Sequence, residues 1–176
     1  MLRTLALTAV LALAAAHTHD HHFESQLAVQ TGTWNVEGTK NLVKEFEGLY
    51  LTAYRCPAGV LTIGWGHTGS DVKAGMTITK ARAEELLKND LQKFANCVLS
   101  YVKKPLNPNQ NGALTSFAFN LGCGALQSST LLRRLNAGED PNTVAAQEFP
   151  KWVKAGGKTL PGLVRRRAAE VKFFKS

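Results

Sequence analysis

Glu47 is the first residue whose surroundings in the sequence could do chemistry. Val43, Phe46 and Glu47 fall at i, i+3 and i+4, so they share one face of a predicted helix. Gly48 follows and is expected to cap that helix. A carboxylate beside Val43 and Phe46 loses hydration, which raises its pKa and keeps it protonated near neutrality. Such an acid can protonate a leaving oxygen, as cleavage of a glycosidic bond requires. Periodicity alone fits a partly exposed surface glutamate equally well.

Arg167 is the second anomaly. Leu163, Arg167, Glu170, Val171 and Phe174 fall at i, i+4, i+7, i+8 and i+11. Arg167 therefore lies in or beside an apolar stripe. If buried it needs an acid, for which Glu47 is a candidate; otherwise its stem reaches along the surface to water. His67 is the one histidine beyond the N-terminal tail. No nucleophile-elbow sequence accompanies it, so an ion pair or hydrogen bond to an acid such as Asp90 is expected. The run Arg165-Arg166-Arg167 comes with no nucleic-acid motif, and no nucleic-acid partner is assigned.

These residues need elements to position them. Leu51 to Tyr54 and Val60 to Trp65 read as short strands joined by a turn at Pro57-Ala58-Gly59. Leu61, Ile63 and Trp65 should point one way, and Thr62 and Gly64 the other. Beyond Thr79 the pattern is helical. Leu87, Leu91, Phe94 and Val98 stripe a long helix that Pro105 ends at the latest. Asn107-Pro108 opens the next helix and Gly122 closes it; Ser128 or Ser129 starts another, and Asp140-Pro141 a further one. Gly156-Gly157 is a break, and a final helix runs from about Pro161 to Phe174. A helix, a small sheet, a long helix and a helical cluster make an α+β fold with the sheet confined to one lobe.

Composition bounds the rest. The 176 residues carry 21 Lys and Arg against 13 Asp and Glu, a formal charge of +8. Such a chain is drawn to polyanions, whether nucleic acid, anionic membrane or wall polymer, and charge alone does not choose among them. Leu5 to Ala16 is an apolar run behind Arg3 that ends in Ala14-Ala15-Ala16. At about a dozen residues it is too short to span a bilayer and suits a signal-peptide core. Residues 1–16 are expected to be a cleaved leader, 17–38 a His-rich tether, and 39–176 the folded domain. A soluble, secreted monomer with no stable membrane insertion is the expectation. His17-Thr18-His19 at a new terminus could chelate Cu(II), but a solvated tail is the simpler account, so no metal or cofactor is assigned.

The ordered set of motifs resembles the phage-type lysozymes, glycoside hydrolase family 24. It comprises Glu47-Gly48-Leu49, Cys56 after eight intervening residues, and Thr62 after five more, within Thr62-Ile63-Gly64-Trp65-Gly66-His67. It continues through Ser116-Phe117-Ala118-Phe119-Asn120-Leu121-Gly122, the stretch from Ser129 to Gly138, and Gly162-Leu163-Val164-Arg165-Arg166-Arg167. The resemblance spans roughly residues 39–175. It implies a lysozyme-like fold, with a small N-terminal sheet lobe and a larger helical lobe joined by a long helix.

What the resemblance implies for the site is a catalytic triple of Glu47, Cys56 and Thr62, with Glu47 the general acid. Cys56 stands where other members carry Asp. A thiol has a reference pKa of about 8.5 and is mostly neutral at pH 7 unless its neighbours lower it. His67 would pair with Asp90, and Glu47 with an arginine of the last helix, best matched by Arg167, with Arg166 one residue away as the alternative. Phe119, Asn120 and Thr130 would line a saccharide cleft. Cys97 near the end of the long helix and Cys123 just after the next would form a disulfide if those helices lie side by side, leaving Cys56 outside it. The implied activity is hydrolysis of bacterial peptidoglycan. The alternatives are a non-catalytic cationic wall-binding or antimicrobial protein, and a lytic transglycosylase or chitinase.

Overall fold

The computed structural model describes residues 33–56 and 59–176. The expected leader, most of the expected tether and Pro57-Ala58 lie outside the described residues.

Helix α1 covers Val36–Phe46. Asn35 caps it, its side chain accepting from the Gly38 amide at 2.8 Å. The expected boundary between tether and domain at 38/39 therefore falls inside a helix, because the cap that starts it lies at Asn35. The end of α1 also differs from expectation. Glu47 itself turns extended (φ −99°, ψ 130°) while its amide still donates to the Val43 carbonyl. Gly48 is not left-handed. Its missing side chain matters for space instead: a Cβ there would come within 2.8 Å of the Tyr50 ring.

Strands β1 (Tyr50–Arg55), β2 (Leu61–Gly64) and β3 (His67–Thr68) form an antiparallel sheet in that order. The third strand was not expected. Tyr50 pairs with Gly64 but Tyr54 with Thr62, so the register jumps between them and β1 bulges. Residues 76–78 cover its outer edge, the Ala53 amide donating to Met76 and the Ile78 amide to Leu51. Trp65 does not point with Leu61 and Ile63. Gly64 at φ +65° and Gly66 at +87° turn the chain tightly around it. Ile63 packs with Val72 and Leu86, whereas Trp65 joins Val43, Leu87 and Leu91.

The long helix α2 runs Lys80–Tyr101 from a Thr79 cap, with Leu87, Leu91 and Val98 buried as their spacing requires. Helix α3 (Pro108–Leu121) starts with a capping box, Asn107 and Gln110 each bonding the other's backbone amide. It is the central element: every residue from Asn111 to Ala118 is buried, and α1 and α2 pack against it. Burial runs all round α3 because its sides are covered in turn by these helices and by the final one. A short helix α4 (Cys123–Gln127), not foreseen in the sequence, follows Gly122. Helices α5 (Thr130–Asn136, capped by Ser129) and α6 (Pro141–Glu148, capped by Asp140) complete the cluster around Phe117 and Phe149. Gly156-Gly157 is more than a break: both glycines have positive φ and form the tip of a hairpin pairing β4 (Lys154–Ala155) with β5 (Lys158–Thr159). Helix α7, Pro161–Phe174, closes the domain against α3.

Cys97 and Cys123 are disulfide-bonded with Cα atoms 6.2 Å apart, joining the end of α2 to the start of α4. Among the described residues no helix is long and apolar enough to cross a membrane.

Candidate active site

Glu47 stands where the first helix ends and the sheet begins. Its extended backbone carries the carboxylate off the helix, away from full burial, and the side chain is 27% exposed. Two cavities meet there. One, of about 440 Å³, is lined by Glu47, Gly66, Thr68, Asp90, Phe94 and Phe119, among others. The other, of about 400 Å³, is lined by Glu47, Phe46, Leu160, Leu163, Arg165 and Arg166, among others. Glu47 and Asn120 line both, so the two cavities adjoin at these residues and together form the cleft.

The expected pairing of Glu47 with Arg167 is corrected by one residue. Arg166 Nη1 donates to Glu47 Oε1 at 2.6 Å. Arg167 points elsewhere: its Nη2 donates to Asn120 Oδ1 at 2.9 Å and to Glu170 Oε1 at 3.0 Å. Neighbours on a helix differ by about 100° in direction. The stripe that buries Phe174 and packs Val171 against the core carries Arg167 with them, and Arg166 beside it is the one turned toward α1. Both arginines are buried nonetheless, at 3% and 1% exposure.

A single carboxylate serves both. Glu170, fully buried, accepts from Ser116 Oγ at 2.8 Å and from Arg166 Nε at 3.4 Å, and its Oε2 lies 2.8 Å from Arg167 Nε. Arg167 Nη1 has no acceptor among the described residues; the Phe117 ring lies 5.0 Å from its Cζ. Burial pushes the Arg167 guanidinium down from its ordinary value, and the charge of Glu170 pushes it back up. Glu170 was read in the sequence only as part of the stripe. Its spacing of i+3 from Arg167 and i+4 from Arg166 was the signal that it could pair with them.

The sheet forms the facing wall. Tyr54 pairs across the ladder with Thr62, and Thr62 with Thr68. Directly paired residues share a face, so these three form one row, and Thr68 reaches the cleft. Thr62 is buried, its hydroxyl donating to the Val60 carbonyl at 3.1 Å. Cys56 follows the end of β1, half-buried and outside the disulfide, in a tight turn where the Gly59 amide donates to its carbonyl at 2.7 Å. Tyr54 belongs with these residues, although the sequence did not single it out. Burial pushes its phenol up, and the charges of Tyr50, Cys56 and Glu47 push it further. Those mutual influences bring Glu47, Cys56 and Tyr54 into one electrostatic neighbourhood. The Tyr50 ring stacks against Tyr54 at 4.2 Å between centroids.

Gly66 leaves the floor open. A Cβ there would sit 3.8 Å from Glu47 Oε2 and 3.9 Å from the Phe119 ring. Phe119 is held edge-on against Phe94 at 5.4 Å. Thr130, by contrast, is exposed at the start of α5 and appears in the lining of neither cavity. His67 sits behind the cleft, with Nδ1 2.6 Å from Asp90 Oδ2 and Nε2 3.1 Å from Asp71 Oδ2. The contact with Asp71 was not foreseen. Lys93 in turn reaches Asp90 Oδ1 at 3.0 Å.

The chain matches the family model described as phage lysozyme over residues 44–170. The endolysin of Bacillus phage PZA is 48% identical over 138 residues, covering 77% of this chain and 53% of that relative. The chain thus spans about half the length of that relative. The muramidase domain of SpmX from Asticaccaulis excentricus has the same fold, with a TM-score of 0.74 at 38% identity, covering 82% of this chain and 99% of that one. A mutant of P22 lysozyme, from phage P22, matches with a TM-score of 0.72 at 41% identity, over 82% and 99% of the two chains.

Proposed function

This chain belongs to the phage lysozyme family, and on that premise we propose that it hydrolyses the β-1,4 bonds between N-acetylmuramic acid and N-acetylglucosamine in peptidoglycan, with Glu47 as general acid. The observation that carries this reading is the position of Glu47 between two adjoining cavities, with room in each. A polysaccharide cut in mid-chain needs sugar sites on either side of the acid.

The chemistry follows from the two carboxylate oxygens. Oε1 is taken by Arg166. Oε2 faces the space beside Gly66, and from there it delivers its proton to the glycosidic oxygen. The bond from that oxygen to the anomeric carbon breaks, its electron pair stays with the protonated leaving oxygen, and positive charge develops on the ring. Water completes the reaction from the sheet side, where Cys56 and Thr62 are proposed to hold it. Phe119 and Asn120 are proposed to contact the sugars. A cationic chain also suits an anionic wall, and its binding should weaken as salt rises. Export is part of the proposal, on the strength of the leader-like residues 1–16. N-terminal sequencing of the secreted form, beginning at His17, would support it.

The test is turbidity loss of purified peptidoglycan, with reducing-end and mass analysis of the fragments, for the wild type beside Glu47→Gln. Clearance with new muramic-acid reducing ends, falling at least about a hundredfold in the variant, is expected. Anhydro ends would reassign the chain to transglycosylation. Full activity in Glu47→Gln would remove Glu47 from the acid's role.

A further inference from the structure

Glu170 is one of the buried ionisable groups that the mechanism above leaves unused. Glu170 has no exposure, yet two guanidiniums and a hydroxyl converge on it. Arg166 and Arg167 leave it in different directions, one to Glu47 and the other to Asn120, the two residues that line both halves of the cleft. A carboxylate placed only to neutralise a buried arginine would need one partner. This one holds two, and each continues to the cleft.

We propose that Glu170 is a positioning residue that divides the charge of Arg166 with Glu47 and so sets the pH at which Glu47 gives up its proton. Among the described residues, Arg166 is the one cation bonded to Glu47. While Glu170 is ionised, part of the guanidinium's attraction is spent on a second carboxylate, and the negative charge of Glu170 itself opposes the ionisation of Glu47. Both effects keep the proton on Glu47 to higher pH. The four groups Glu47, Glu170, Arg166 and Arg167 sum to zero charge when both acids are ionised. Protonated Glu47, the form an acid catalyst needs, leaves the cluster at +1, and the ionised Glu170 beside both arginines makes that state tolerable in a buried place.

The other charged or titratable groups around Glu47 do not substitute for this one. Tyr54 and Cys56 face it from the sheet, Asp90 and Lys93 from α2 across the first cavity, and Glu45 and Arg165 around the second. Asp90 is already paired with Lys93 and His67. Among the described residues, no hydrogen bond or ion pair ties Tyr54, Asp90, Lys93, Glu45 or Arg165 to Arg166. The proposal requires the carboxylate form of Glu170. Burial pushes the Glu170 carboxyl up from its ordinary value; the contacts that favour the carboxylate against it are the guanidiniums of Arg167 and Arg166 and the Ser116 hydroxyl, all within 3.4 Å.

This inference rests on Glu47 being the acid, but its test does not depend on activity. The full chain is labelled with glutamate carrying 13C at the side-chain carboxyl, and the Glu47 signal is assigned by its loss in Glu47→Gln. In Glu170→Gln the Glu47 midpoint should fall by about one pH unit, the low end of a neighbouring charge's effect, and the alkaline limb of activity should move down with it. Glu170→Asp, which draws the carboxylate back by one methylene, should give a smaller shift in the same direction, and decides alone if Glu170→Gln does not fold. A lower melting temperature with an unmoved Glu47 midpoint would show Glu170 to be structural and overturn the proposal. A midpoint that moves while Glu47→Gln stays active would uphold the charge division and overturn the assignment of Glu47 as the acid.

Discussion

The two walls of the cleft are built on opposite principles. The helical wall holds its working groups through buried charge: Arg166, Arg167 and Glu170 are almost wholly excluded from water and reach the cleft through Glu47 and Asn120. The sheet wall is three short strands with a register jump, and it leaves Tyr50, Leu51 and Val60 markedly exposed. Geometry on the helical side is tied to the stability of the whole domain. The sheet side is supported mainly by its backbone ladder and the small cluster around Ile63. Substitutions in the helical wall should therefore act on folding and catalysis together, and those in the sheet wall on catalysis more than on folding.

The strongest way to break this contrast is Arg167→Met. It leaves Glu170 buried with Arg166 Nε at 3.4 Å as its one remaining cationic contact, and should cost about 3–5 kcal/mol, read from urea denaturation. A cost near zero would mean that the ionic lattice does not secure the helical wall. Next comes the link between α2 and α4. Replacing both Cys97 and Cys123 with Ser opens a crosslink between residues 26 apart and should cost about 2–4 kcal/mol. The cleft lining should be left in place, so activity at low temperature should survive.

The third prediction concerns acid. Glu148 is buried between α5 and α6, and Lys151, together with Arg134, holds its carboxyl below the ordinary carboxylate value. A depressed folded-state pKa contributes stability above the unfolded value, and that stability is lost as pH falls through the folded one. Glu148→Gln should therefore lower stability at neutral pH and flatten its decline on acidification, followed by thermal melts from neutral to acid pH. The smallest expected stability effect is on the sheet wall. Tyr54→Phe should change unfolding free energy by no more than about 0.5 kcal/mol yet slow peptidoglycan turnover, because it removes a hydroxyl from the neighbourhood of Glu47 and Cys56. A large stability loss with unchanged turnover would reverse the contrast between the walls.

The helical lobe was largely legible in the sequence because its signals are local. Asn107-Pro108, Ser129 and Asp140-Pro141 are helix starts by side-chain chemistry, and the structure uses each as a cap. The final helix has the bounds its stripe suggested. What escaped was set by tertiary context. Which of Arg166 and Arg167 meets Glu47 depends on how α7 is rotated against α1 and α3, and the stripe did not resolve a one-residue difference. The end of α1 looked like a glycine cap but is made by Glu47 turning extended. The pairing of β3 and the hairpin at Gly156-Gly157 involve two-residue strands too short to show alternation. Tyr54 was missed because its importance comes from lying opposite Thr62 across the ladder, which the register jump in β1 hides from any count along the chain.

The start of α3, where the Asn107–Gln110 capping box sits, also ties distant parts of the chain together. Asn109, in the first turn of that helix, accepts from the Asn35 side-chain amide at 2.7 Å and donates to the carbonyl and hydroxyl of Ser176 at 3.2 and 3.1 Å. The Asn35 backbone N–H donates to the Pro108 carbonyl at 2.9 Å. The start of α1 and the residues just after α7 are thus fastened at a single spot. A unit whose ends meet can be spliced into a surface loop of another protein, or cut open elsewhere and rejoined end to end, without pulling its first helix from its last. The stretch from α1 to α7 has the geometry of a cassette.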